Sequence, residues 1–376
     1  MSAGIRRITR LVVVWLIVAG CLASAPPEVH GSAHHLSASR TGTVPLRSLI
    51  GRLVFTGFSG TRMTPSTRHL IRTLGVGGLV IKAYNVMSRS QLRALSEKIR
   101  LVAGHRRILV GVTQEAGVVD HLNGIFPVLP SPQELASRRP WASRKTGCLL
   151  GKQLASVRID VDMAPVLDVL DRSDAYIGDR SYGRDPDAVA SHGAAFIRGI
   201  EQAGIFPIAK HFPGLGYVTT DPHVDLPVDP RGLARLQQRD LVPYEAAFDV
   251  GVPAVMTAHV LYERIDPGRP ASLSRTIGTG LLRERLGFDG LVITDSLGMG
   301  GLSGPVGSRA VRAISAGADM VLLTDPQDVG DVVSALRQAL TTGRISRTRV
   351  EDALQHVSAA TQQVVQLRHD RSPCPS

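Results

Sequence analysis

Asp295 closes the run "LVITD" and stands before "SLGM", a carboxylate at the tip of an apolar, β-branched segment. So placed, it can attack the anomeric carbon of a sugar, bind a metal, or cap a following helix. A second group of ionisable side chains lies in "KHFPGLGYVTTDPHVDLP", residues 210–227, where glycine and proline forbid a regular helix or central strand. There Asp221 stands two residues before His223, and Pro222 biases Asp221 toward an extended backbone, so both side chains can reach one place. Aspartate orients an imidazole and stabilises its protonated form, which makes histidine a usable general acid. A carboxylate and an Asp–His pair on opposite sides of a glycosidic bond supply what retaining glycoside hydrolysis requires. A helix-capping Asp295 and a solvated Asp/His loop are the plainer readings, and position alone favours them. A metal centre built from His211, Asp221, His223 and His259 is disfavoured, because these residues offer no helical i, i+4 pair and no cysteine partner. No cofactor is expected.

The elements that must position these groups recur along the chain. Short apolar runs fall at 52–58, 77–84, 107–115, 158–169, 206–212, 253–259, 290–296 and 318–325. Amphipathic stretches such as 87–104, 187–204, 240–251 and 331–343 alternate with them, and a further helix over 346–367 closes the chain. Eight β-then-α units in about 320 residues predict an α/β fold, a single (β/α)₈ TIM-type barrel. Gln114 and Glu115, Asp168, Lys210 and His211, His259, Asp295 and Asp325 each end an apolar run and never begin one. In such a barrel those positions gather around one mouth, where active sites of this fold are assembled. The need to terminate every buried strand with a polar residue explains one or two of them, but not why so many are ionisable.

The chain has 376 residues, 43% of them hydrophobic, which suits one large core and argues against wholesale disorder. Its net charge of +11 comes almost wholly from scattered arginines, and aromatic residues make up only 4%, so nucleic-acid binding is not expected. Arg6, Arg7 and Arg10 precede an apolar stretch, 11–19, too short to span a membrane. With "VAGC" at 18–21 closing it, residues 1–21 predict an export signal ending in a lipobox, with Cys21 as the lipidation site and attachment to the outer, extracytoplasmic face of the cell membrane. Ordinary cleavage near "LASA" and secretion is the alternative. Residues 22–45 read as a flexible tether, 46–367 as the barrel domain and 368–376 as a disordered tail. Because Cys374 falls in that tail, no structural bridge to Cys148 is expected, although export would permit one. A monomer is expected, with a carbohydrate substrate, and a membrane met only through the lipid anchor.

"KHFPG" followed by "DPH", with "APVLDV", "IGDRSYGRDP", "MTAHV", "PASLS" and "GFDGLVITDSLGM", resembles glycoside hydrolase family 3. More narrowly, it is similar to the single-domain β-N-acetylhexosaminidase branch, over residues 46–365 and with the motifs in order. The resemblance implies that Asp295 is the nucleophile, that Asp221 and His223 form an acid/base dyad on a mobile loop, and that Lys210 and His211 bind sugar hydroxyls. It places Arg180 and Asp168 in sugar-binding motifs and Glu115 in the substrate-binding stretch after the third strand. That stretch departs from the family pattern Asp-Gln-Glu-Gly-Gly-Arg-Val-x-Arg. The chain carries Thr113 for the aspartate, and Val118 and His121 where the pattern has arginines. Losing a charged hydrogen bond to a bound sugar costs about 1.5–3 kcal/mol, so substrate recognition is expected to differ. Leu215 and Pro222 also replace the usual histidine and serine of the loop.

The resulting expectation is a retaining exo-β-N-acetylglucosaminidase of peptidoglycan-derived fragments. A phosphorylase and a catalytically weakened wall-glycan-binding lipoprotein are the alternatives. A neutral histidine would not repel phosphate as a glutamate does, and the altered 113–121 stretch motivates the binder.

Overall fold

Strands buried on both faces read as continuous apolar runs, and here they pair in parallel as such runs must. The computed structural model describes residues 45–122 and 124–375. The predicted export signal with Cys21, and all of the tether but its last residue, lie outside them. The first three strands are β1 Val54–Thr56, β2 Gly78–Ile81 and β3 Leu109–Val112. β4 is Val161–Asp162, and β5 comes in two pieces, Phe206–Pro207 and Ala209–Phe212. The last three are β6 Ala254–Thr257, β7 Leu291–Ser296 and β8 Met320–Leu323. Each strand pairs in parallel with its neighbours in sequence, and β1 pairs with β8.

The nine paired segments begin and end on the two pieces of β5: Phe206–Pro207 lies on β4 and Ala209–Phe212 on β6. Ile208, between those pieces, donates its amide to Asp162 and Ala164, and a bridge joins Val166 to Lys210. The sheet therefore curls into a nearly closed α/β barrel with flanking helices, the expected class.

Size complementarity fills its centre. The Phe55 ring of β1 lies 2.4 Å from where a Cβ on Gly78 of β2 would sit and 2.8 Å from one on Gly111 of β3. Two glycines on adjacent strands thus make room for one aromatic ring.

Helices Arg89–Ala103, Pro186–Gln202, Val242–Asp249, Val329–Thr341 and Arg347–His369 occupy the anticipated stretches. Ser88, Asp185 and Ser346 cap three of them by accepting backbone amides. Helix Pro140–Ser156, packed on Pro186–Gln202, buries Cys148 completely.

Here one expectation fails, because Cys148 is disulfide-bonded to Cys374. The segment after His369 folds back over the end of Pro186–Gln202, where Ser372 donates its amide to the Gln202 carbonyl at 3.1 Å. That fold-back is what carries Cys374 to the helix. A sequence separation of 226 residues gave no hint of it.

Candidate active site

A cavity of about 270 Å³ opens at the C-terminal ends of the strands. Strand parity explains its walls, since residues two apart share a face. Lys82 continues the face of Gly78 and Val80 beyond β2, and Thr113 and Glu115 continue β3. Lys210 of β5, Met256 of β6, Asp295 of β7, and Leu322 with Thr324 at β8 complete the ring. His211 also lines it, one residue out of phase.

Glu115 is buried and holds two cations. Arg180 donates to both of its oxygens, Nε and Nη2 each at 2.7 Å, and Lys210 Nζ lies 2.5 Å from Oε1. Burial pushes the Glu115 carboxyl up, but Lys210 and Arg180 prevail and hold it well below the ordinary carboxylate range. With its oxygens so occupied, Glu115 serves as the anchor of two donors. Arg180 and Lys210 keep spare N–H groups, which can meet sugar hydroxyls.

Asp168 is fully buried and stands behind His211. Its Oδ2 pairs with His211 Nδ1 at 2.7 Å, and its Oδ1 accepts the Leu215 amide at 2.7 Å. It is absent from the cavity wall, so its work is to orient His211 and fix the start of the loop.

Asp295 is partly exposed to the cavity, and its Oδ1 accepts the Ser296 amide at 2.7 Å. Burial raises its pKa, while His259, His211, the Ser296 amide and Lys210 lower it; the lowering wins. Burial in turn pushes the His259 imidazole down, with Asp295 and the Ser296 carbonyl partly opposing it. Its Nε2 is 2.9 Å from the Ser296 carbonyl and its Nδ1 is 2.7 Å from Ser272 Oγ. That pairing makes Nε2 the donor and clamps the backbone beside Asp295.

Asp221 and His223 lie within hydrogen-bonding distance of each other. Asp221 Oδ1 accepts both the His223 amide and His223 Nδ1, each at 2.8 Å, which leaves Nε2 free to exchange a proton with a ligand. Tyr176 Oη approaches the same Nδ1 at 3.3 Å. Burial raises the Asp221 carboxyl, but the His223 amide and ring, with Tyr176, hold it below its ordinary value. His223 is exposed, yet it and Pro222 line the cavity that Asp295 lines.

Two backbone bonds seat this turn on the loop after β7: Gly300 donates to the His223 carbonyl at 2.9 Å and Gly301 to that of Pro222 at 3.2 Å. At its other end the segment is tightly packed. A Cβ on Gly216 would lie 2.0 Å from the Val169 carbonyl oxygen, so this glycine permits close approach rather than swivelling. Below it, Arg231 joins Asp229, Asp171 and Asp240, which anchors the segment that follows the loop.

Among the strand-end residues, Asp325 caps a short helix by accepting the Gln327 amide, and Gln114 binds Asp120 and the His121 amide. Neither lines the cavity. Two ionisable wall residues escaped the sequence reading. Lys82 ends an apolar run as Lys210 does, so the strand-end rule would have found it, whereas Tyr176 lies in a loop with no such signal.

An inward-facing carboxylate and a histidine–aspartate pair share polar walls at the mouth of a parallel barrel, groups of the kind a carbohydrate hydrolase uses, and the comparisons give the class. Residues 45–360 match the model of the glycosyl hydrolase family 3 N-terminal domain. A β-hexosaminidase of Alkalilimnicola ehrlichii is 38% identical over 300 residues, 77% of this chain and 85% of that protein. A family 3 β-N-acetylglucosaminidase from Paenibacillus superposes with a TM-score of 0.84 at 33% identity, covering 89% of this chain and 65% of the other. A β-N-acetylhexosaminidase from Beutenbergia cavernae gives 0.79 at 30% identity, covering 85% and 99%. The chain belongs to glycoside hydrolase family 3, and it is a glycoside hydrolase.

Proposed function

We propose that this enzyme is a retaining exo-β-N-acetylglucosaminidase acting on fragments derived from cell-wall peptidoglycan. The observation that carries the reading is the shared cavity of Asp295 and the Asp221–His223 dyad. In the first step an Asp295 oxygen attacks the anomeric carbon. The bond to the leaving oxygen breaks, and His223 gives that oxygen its Nε2 proton. In the second step His223 takes a proton from water, which attacks the same carbon and releases the sugar from Asp295, so configuration is retained. Arg180 and Lys210, braced by Glu115, and His211, braced by Asp168, hold the sugar hydroxyls.

The substrate class draws support from the β-hexosaminidase and β-N-acetylglucosaminidase names of the relatives. We further place residues 46–367 as the catalytic barrel, exported and anchored through Cys21. The basic-then-apolar start of the chain supports export, as does the Cys148–Cys374 bond, since disulfides persist in oxidising compartments. The test is release of p-nitrophenol from p-nitrophenyl N-acetyl-β-glucosaminide. The wild type should release it and Asp295→Ala should fall to background; unchanged activity in the variant would sink the assignment.

A further inference from the structure

We infer that Lys82 builds a subsite for an anionic substituent, a carboxylate or a phosphate, on the sugar bound in the cavity. The inference rests on the glycosidase reading above and adds to it the charge of the substrate.

Lys82 is one of five lysines in the chain, and its side chain lines the cavity on the wall made by β2 and β3. Arg180 and Lys210 both sit on Glu115, but among the described residues no carboxylate lies within ion-pair distance of the Lys82 ammonium. Burial and the neighbouring Lys210 press its proton off, and Asp295 only partly opposes them.

An ammonium held in a partly dry cavity beside another cation is a costly arrangement unless something negative comes to meet it. The one carboxylate on that wall among the described residues, Glu115, is already taken by Arg180 and Lys210. Thr113 and His121 line the same wall, and His121 is pushed down to about 4 by burial, Lys82 and Lys210, so it is a neutral imidazole. Thr113 and His121 also stand where the family pattern has an aspartate and an arginine. The wall has therefore exchanged a carboxylate and a guanidinium for two neutral side chains near an ammonium that has no ion-pair partner among the described residues. A neutral sugar leaves that charge unmet, whereas a sugar carrying a carboxylate or phosphate neutralises it inside the cavity, where screening by water is weak.

Ligand binding tests this without relying on turnover. Calorimetry on the full chain would compare N-acetylglucosamine, N-acetylglucosamine 6-phosphate, N-acetylmuramic acid with its lactyl carboxylate, and inorganic phosphate alone. At least one anionic sugar should bind tenfold or more tighter than N-acetylglucosamine. That preference should fall to near unity in Lys82→Met, survive in Lys82→Arg, and shrink as salt is raised. Which anionic sugar is preferred identifies the substituent. Equal binding of neutral and anionic sugars, a preference that persists in Lys82→Met, or inorganic phosphate binding as tightly as the sugar phosphate would each overturn the inference. The hydrolase reading is judged separately, by p-nitrophenol release, and stands or falls independently of these results.

Discussion

At the scale of single residues, the site separates a group that must stay ionised from one that must exchange a proton. Asp295 is held below its ordinary pKa, so it stays an ionised carboxylate, as the proposed nucleophile must, where a free aspartate begins to protonate. His223 is oriented through Nδ1 by Asp221 and presents Nε2 to the ligand. If that nitrogen protonates the departing oxygen, its value depends on the leaving group. His223→Ala should lose about 10²–10⁴-fold in kcat/KM on natural-type glycosides with poor leaving groups. On activated aryl glycosides the loss should be much smaller. Equal losses on both, measured across a series of leaving groups, would remove His223 from proton transfer. Most of these residues were legible in the sequence, because each ends an apolar run or sits in a short motif. The roles of Glu115 and Asp168 were not. Whether a carboxylate meets the sugar or braces the group that does depends on which side chains surround it, and Arg180 is 65 residues from Glu115 in the chain.

At the scale of elements, the dyad depends on two loops meeting. The Asp221–Asp225 turn is folded on the Asp221 carbonyl, which accepts the amides of Val224 and Asp225. It is seated by Gly300 and Gly301, five and six residues beyond Asp295. A side chain at 300 has no space: its Cβ would lie 2.6 Å from the His223 carbonyl oxygen and 2.9 Å from that of Val224. Gly300→Val should therefore displace the dyad and cut kcat/KM by roughly 10²-fold, the scale of a 1 Å misplacement of a catalytic group. The barrel should keep its melting temperature within a few degrees. Wild-type activity in this variant would show that the contact does not position His223. The sequence marked 210–227 as a loop through its glycines and prolines, and the family resemblance made that loop, Gly216 included, a mobile one. The packed structure gives Gly216 a different task, because local composition does not reveal which backbone passes 2.0 Å away.

At the scale of the whole molecule, the barrel was the most legible feature. Its strands are buried on both faces, so each announces itself as an unbroken β-branched run, and the alternation with helices leaves few topologies. The break of β5 at Ile208 and the Cys148–Cys374 bond were not legible, since both join segments that only the closed fold brings together. Closure directs several carboxylates toward one mouth, and in the proposed mechanism only one of them, Asp295, attacks the sugar. A 5-fluoro N-acetylglucosaminyl aryl glycoside, whose glycosyl–enzyme bond hydrolyses slowly, followed by peptide mass spectrometry, reads out which residue reacts. One added sugar per chain is expected, on the peptide that contains Asp295 and at that residue. A sugar on another carboxylate, or turnover without any covalent adduct, would contradict it.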